Sequence, residues 1–209
     1  MTVQSFSDVR NKLLNMDSDR AALRLVIVLS VAMGLSFCLT EPDANTPSLE
    51  DPNTLAEAIA GWSGRFRWFE CGEPYTEDEA LIRAREYANV IIREADKEDH
   101  PIVMLASVIE QESGYDRCSV GRQARRKAGL PAHPTEAQIV RQLGDRRSRS
   151  RSNVVRFDAG VAQFMWPGGI IDELVEDSTI HDVLDMEWSV SALALALSHY
   201  REYAADAYG

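Results

Sequence analysis

Residues 102–115 read Ile102-Val103-Met104-Leu105-Ala106-Ser107-Val108-Ile109-Glu110-Gln111-Glu112-Ser113-Gly114-Tyr115. The spacing is helical, and Ile102, Leu105, Ile109 and Glu112 share one face. Three of these are apolar and the fourth is a carboxylic acid. Burying an ionised carboxylate is costly. An acid on such a stripe keeps its proton to higher pH, as a general acid must. An exposed last turn carrying an ordinary glutamate fits the same spacing, so the stretch alone leaves both readings open. Glu110, two positions away, points about 200° round the helix and reads as a surface or helix-packing residue.

Working outward, Asp99-His100-Pro101 starts this helix, with proline in its first turn. Upstream, Thr76-Glu77-Asp78-Glu79 is a capping box opening a helix with Leu81, Ala84, Ala88, Ile91 and Ala95 on one face. A short helix is expected from Thr54, followed by the aromatics Trp62, Phe66, Trp68 and Phe69. These aromatics suit either a sugar groove or the packing of a domain edge. Downstream, Thr135-Glu136-Ala137-Gln138 caps a further short helix. Residues 157–169 are rich in turn formers. Ile170, Ile171, Leu174 and Val175 suggest one more short helix. Asp185 caps a last long helix with Val190, Leu193, Ala196 and Tyr200 on its apolar face. No alternating strand pattern and no internal repeat stands out, so the fold class is mainly α.

Composition agrees with a folded core: 45% of the 209 residues are hydrophobic and 26% charged, which excludes a disordered chain. The net charge is −11, which argues against general nucleic-acid binding. Residues 117–156 hold 11 basic residues and only Glu136 and Asp145 as acids, a net +9, so the remainder carries −20. The segment 145–153 within it is an Arg-Ser low-complexity loop.

Residues 23–39 are hydrophobic, with no charge over the fifteen residues from Leu25. Arg10, Lys12, Arg20 and Arg24 precede them, whereas the stretch that follows holds acids only. This bias places the N-terminus in the cytoplasm and the rest outside. The segment reads as a signal anchor or a cleaved signal peptide, with a buried core helix as the alternative. A lipid-attachment box at Cys38 is disfavoured, because Phe37 stands where a small residue is needed. The expected organisation is a cytoplasmic segment 1–22, a transmembrane or signal-anchor segment 23–39, a Pro-rich linker 40–53 and a helical domain 54–209. The three cysteines and four histidines lack metal-ligand spacing, and no cofactor is expected. Cys71 and Cys118 pair if exported and stay free thiols if not.

Three motifs occur in order: Gln111-Glu112-Ser113-Gly114-Tyr115, Ser119-Val120-Gly121, and Gly160-Val161-Ala162-Gln163-Phe164-Met165-Trp166-Pro167. Together they resemble the lytic transglycosylase (SLT) domain of the lysozyme-like superfamily, over roughly residues 76–200. The resemblance implies a lysozyme-like helical domain that cleaves the bond between N-acetylmuramic acid and N-acetylglucosamine in peptidoglycan. It implies that Glu112 alone protonates the glycosidic oxygen. The substrate's acetamido group then assists, and the ionised Glu112 takes the C6 hydroxyl proton as an anhydro ring closes. That route needs no second carboxylate.

The resemblance also implies substrate contacts for Ser119, Gln163 and Met165. For Gln163 the alternative is a glutamine tying down loop backbone, and for Met165 simple core filling. Ser113 is expected to hold the helix end, and Tyr115 to pack. Three departures stand out. Residues 122–157 form a basic insertion, either a solvated loop or an attractor of anionic groups. Val161-Ala162 replaces Leu-Met. The C-terminal Ala-Tyr-Asn-x-Gly motif has no counterpart. The implied setting is the inner membrane with the domain in the periplasm, serving an envelope secretion or conjugation machine or a phage. A hydrolytic muramidase of the same fold and a non-catalytic wall-binding protein are the rivals.

Overall fold

In a computed structural model of the chain, the described residues are 48–63, 69–143, 157–166, 175 and 178–208. All of them belong to the unit Pro47–Gly209. The hydrophobic segment 23–39, the Arg-Ser loop 145–153, the aromatics Phe66 and Trp68, and the helix expected around Ile170 to Leu174 lie outside them. Among the described residues no helix is long and apolar enough to cross a membrane.

The fold is mainly helical, with seven helices among the described residues. Helix α1 (Pro52–Ser63) starts inside the expected linker. Asp51 initiates it: Thr54 N donates to Asp51 Oδ2 at 3.0 Å, and Pro52 occupies the first turn, where a missing N–H costs nothing. The hairpin β1 (Phe69–Glu70) and β2 (Glu73–Pro74) turns through Cys71 and Gly72, with φ of 51° and 90°. Such paired positive φ values match the twist of a two-residue hairpin loop.

Helix α2 (Glu77–Lys97) carries the expected capping box between Thr76 and Glu79. Ala84, Ala88, Ile91 and Ala95 are buried, but Leu81 is 37% exposed, and Tyr87 and Glu94 are buried as well. The buried arc is wider than one stripe because α1, α3 (Ile102–Ser113) and α7 (Met186–Tyr208) all pack on α2. Leu55 and Ile59 of α1, Leu105 and Ile109 of α3, and Val190 and Leu193 of α7 are buried. Asp185 caps α7, its Oδ1 accepting from Trp188 N at 2.8 Å.

The start of α3 is tied to α7 through His100, whose Nε2 lies 2.9 Å from the Ala194 carbonyl and 3.1 Å from Ser198 Oγ. Ser198 also donates to Glu98. This serine, histidine and glutamate are not a nucleophile relay, because Glu98 meets the serine instead of orienting the ring. They fasten two helices.

The segment 122–157 is only in part a loop. Residues 122–143 form α4 (Arg122–Ala128) and α5 (Glu136–Leu143). The expected cap of α5 is present, Thr135 and Gln138 exchanging side-chain-to-backbone hydrogen bonds. Ala124, Ile139 and Leu143 enter a core cluster with Cys118, Val120, Ala159 and Ile180, Val183, Leu184 of α6 (Ile180–Leu184). The apolar positions of these short helices decide that, since burying each large one stabilises by about 1.5–3 kcal/mol. Two short antiparallel strands, β3 (Phe157–Ala159) and β4 (Phe164–Trp166), form the second hairpin, with Asp158 opposite Met165. Neither hairpin was legible as an alternating run, because each strand is two or three residues long.

Candidate active site

Glu112 lies in the last turn of α3, half-buried, on the face with the fully buried Leu105 and Ile109. The turn that follows is built to hold it. Ser113 Oγ donates to the Ile109 carbonyl at 3.1 Å and accepts from Tyr115 N at 3.1 Å. Gly114 takes the left-handed conformation, φ 60°, and its N–H closes on the Glu110 carbonyl. Tyr115 also has positive φ, 66°, a costly conformation for a bulky residue. It is held there by its own side chain: the hydroxyl donates to the Ala106 carbonyl at 3.0 Å, and the Tyr115 carbonyl accepts from Tyr87 at 2.9 Å. The two rings meet edge to face at 5.2 Å. Tyr115 thus packs, as expected, and clamps the turn after the acid.

The chain then runs through a stapled loop. Cys71 and Cys118 form a disulfide, closing the question that spacing left open. Asp116 Oδ1 accepts from both half-cystine N–H groups, at 3.2 and 2.9 Å. Burial pushes the Asp116 carboxyl up, and these two bonds and His133 oppose the shift. Cys71, Asp116 and Cys118 cluster closely enough to hold a metal. With both sulfurs in the disulfide, however, no thiolate is available as a ligand. Arg117 bridges Glu70 and Glu136 at 2.8 Å each, joining β1 to α5. Replacing both half-cystines with serine is expected to cost about 4 kcal/mol, given a sequence separation of 47. A urea titration with and without reductant checks this, and an unchanged midpoint would refute it.

Beyond the staple, the loop meets the β3–β4 hairpin. The Ser119 carbonyl accepts from Gly160 N and from Gln163 Nε2, both at 3.0 Å. Gln163 Nε2 also reaches the Gly160 carbonyl at 3.0 Å. The Gln163 amide therefore ties down loop backbone, as the structural alternative had it. Its Oε1 is the atom left to accept from a ligand. Ser119 contributes its backbone to this junction. Met165 sits on β4 opposite Asp158, and its side chain lies outside the described residues. Val120 pairs with Ala159, and Gly121 N donates to the Asp158 carbonyl at 2.8 Å.

The sequence reading missed Asp158. Burial pushes the Glu112 carboxyl above the usual carboxylate range, and the charge of Asp158 pushes it further. A second acid therefore lies within electrostatic reach of the first. The signal available was local alternation: Ala159 is fully buried and Asp158, its neighbour, is exposed. A Cβ at Gly121 would stand 3.2 Å from Asp158 Oδ2, so glycine there lets the aspartate lie against the backbone. Glu110 also departs from a plain surface role. Its Oε2 is buried without a hydrogen-bond partner, and burial raises its carboxyl. Its charge acts on Tyr115, which places it on the packing side of α3.

Comparison with family models, with curated proteins and with solved structures finds no match. The reading of the site therefore rests on its own geometry and on the sequence motifs.

Neutralising Asp158 as Asp158→Asn removes a negative charge near Glu112, so the Glu112 carboxyl is expected to titrate lower. The alkaline limb of any activity that needs protonated Glu112 should move to lower pH. A pH–rate profile checks this, and an unmoved limb would show that the two groups are uncoupled.

Proposed function

We propose that this chain is a peptidoglycan lytic transglycosylase with Glu112 as its single acid and base. The observation that carries the reading is a half-buried glutamate at a clamped helix end, its carboxyl pushed above the usual range by burial and then by Asp158. A group that donates a proton and then takes one back works best with a pKa near the working pH. Protonated Glu112 gives its proton to the glycosidic oxygen as the C1–O bond breaks, assisted by the substrate's acetamido oxygen. Ionised Glu112 then accepts the C6 hydroxyl proton while that oxygen closes on C1. The product is a 1,6-anhydro-muramyl end, and no water is consumed. Gln163 Oε1 and Asp158, exposed on β3, would line the sugar path.

A lysozyme-like architecture is the fold reading that goes with this: a mainly helical domain with two short hairpins and the acid at the end of one helix. The disulfide supports export to an oxidising compartment. It is consistent with a periplasmic domain anchored through residues 23–39.

One observation favours a second reading, a hydrolytic muramidase. Asp158 supplies the second carboxylate that hydrolysis by paired acids requires. Mass analysis of digested peptidoglycan separates the two. Anhydro ends, lighter by one water, support the transglycosylase, and reducing ends support the muramidase. Asp158→Asn sharpens the choice when assayed on the acid side of the alkaline limb, because there it should leave the first activity largely intact and reduce the second by roughly 10²-fold or more. Intact peptidoglycan after prolonged incubation would refute both.

A further inference from the structure

The cations of this domain fall into two groups. Arg83, Arg93, Lys97, Arg117 and Arg201 each lie within 4.0 Å of a carboxylate. Arg85, Arg141 and the four cations of α4 have no such partner among the described residues, and of those four Arg122, Arg126 and Lys127 are exposed on one short helix. Arg122 and Arg126 are four apart and so share a face. Like charges at that spacing disfavour a helix and Arg122 in the first turn opposes its dipole, whereas Arg126 and Lys127 in the last turn favour it. The helix has no acid in its first turn. Helix stability alone therefore does not account for Arg122.

Position gives this charge a use. Helix α4 begins directly after Gly121, whose N–H is bonded to the Asp158 carbonyl. The cationic face is therefore rooted beside the strand whose acid acts on Glu112. Outside residues 117–156 the chain carries −20, which disfavours a polyanion there. A local cationic face then sets the side from which an anionic polymer approaches.

We propose that the exposed face of α4, through Arg122, Arg126 and Lys127, binds the carboxylates of peptidoglycan peptide stems beside the Glu112 site. The proposal rests on the peptidoglycan reading of that site. It assigns α4 a recognition role separate from bond cleavage: glycan enters past Glu112 while its stems lie along α4.

The test is binding of the full-length chain, carrying Glu112→Gln so that the polymer is not consumed, to three materials. These are native sacculi, sacculi whose carboxylates have been converted to amides, and anionic phospholipid vesicles. Native sacculi should be bound in a salt-sensitive manner. Amidation, or the triple change Arg122→Gln, Arg126→Gln, Lys127→Gln, should each weaken binding on the order of tenfold. The triple variant should no longer respond to amidation. Circular dichroism of that variant checks its fold, which replacement of exposed side chains should leave unchanged.

The proposal is overturned if the triple variant binds native sacculi like its parent, or if amidation has no effect. It is equally overturned if sacculi are not bound, or if the cations matter for vesicles alone. The wild type's product masses are read separately. Charge-dependent binding without cleavage would sink the catalytic reading and leave the α4 surface standing. Cleavage without charge dependence would do the reverse.

Discussion

Glu112→Gln is expected to lower peptidoglycan cleavage by roughly 10²–10⁴-fold, the usual contribution of a positioned acid and base, without unfolding the domain. The sign of its stability effect follows from the direction of the shift. The Glu112 carboxyl is raised above its ordinary value by burial and then by Asp158. The folded state thus holds the proton more tightly than the unfolded state does. The stability linked to that proton is fully present below the ordinary glutamate range. It is lost as pH rises from there through the raised value. Glutamine imitates the protonated side chain at every pH. The variant should therefore match the wild type in mild acid and melt no lower, or higher, at neutral pH. Thermal melts at both pH values and muropeptide analysis together check this. Wall cleavage equal to that of the wild type would remove Glu112 from the mechanism. A variant that melts lower at neutral pH would mean that the carboxylate is a structural acceptor.

Gly160→Ala is expected to produce the largest loss of stability among single small substitutions. A Cβ at Gly160 would stand 2.2 Å from the Val183 carbonyl oxygen, and the residue has φ +82°. Backbone lies on both sides of that contact, so no side-chain rotation relieves it. Strain at positive φ and overpacking together are worth about 2–5 kcal/mol, a fall in Tm of roughly 5–15 °C for a domain of this size. Gly160 also donates to Ser119 and accepts from Gln163, so the hairpin should detach from the loop that follows Glu112. Gly129→Ala is the control. Its φ is also positive, at +68°, but nothing lies within 4 Å of the added carbon, so only the backbone strain of roughly 1–2 kcal/mol applies. Equal Tm values for the two variants would show that the close approach of Gly160 to α6 carries no weight.

Local signals were read well where the physics is local. The boxes at Thr76 and Thr135, the Asp185 cap and the Ser113–Gly114 helix stop each involve residues three or four apart. Their hydrogen bonds form wherever the chain is placed. The helical stripe of α3 was equally plain, because periodicity reports which face is apolar. It put Glu112 at the end of that stripe, and left to the structure whether the acid is exposed or half-buried. The same logic under-read α2, since three helices pack on it and widen the arc that one stripe suggests. It also missed α4 within the basic segment, because charge masked Ala124, the apolar position that anchors it.

What the sequence by itself determined is the helical class, the helix ends and the isolation of one carboxylate on an apolar stripe. What only the tertiary structure decided is which distant groups meet there. The Cys71–Cys118 bond, the grip of Gln163 on the Ser119 carbonyl and the field of Asp158 at Glu112 all join residues far apart in the chain. None leaves a local signature, because each depends on where two hairpins close against the helices. Closure of that kind is set by the summed packing of the core, and no short stretch of sequence encodes it.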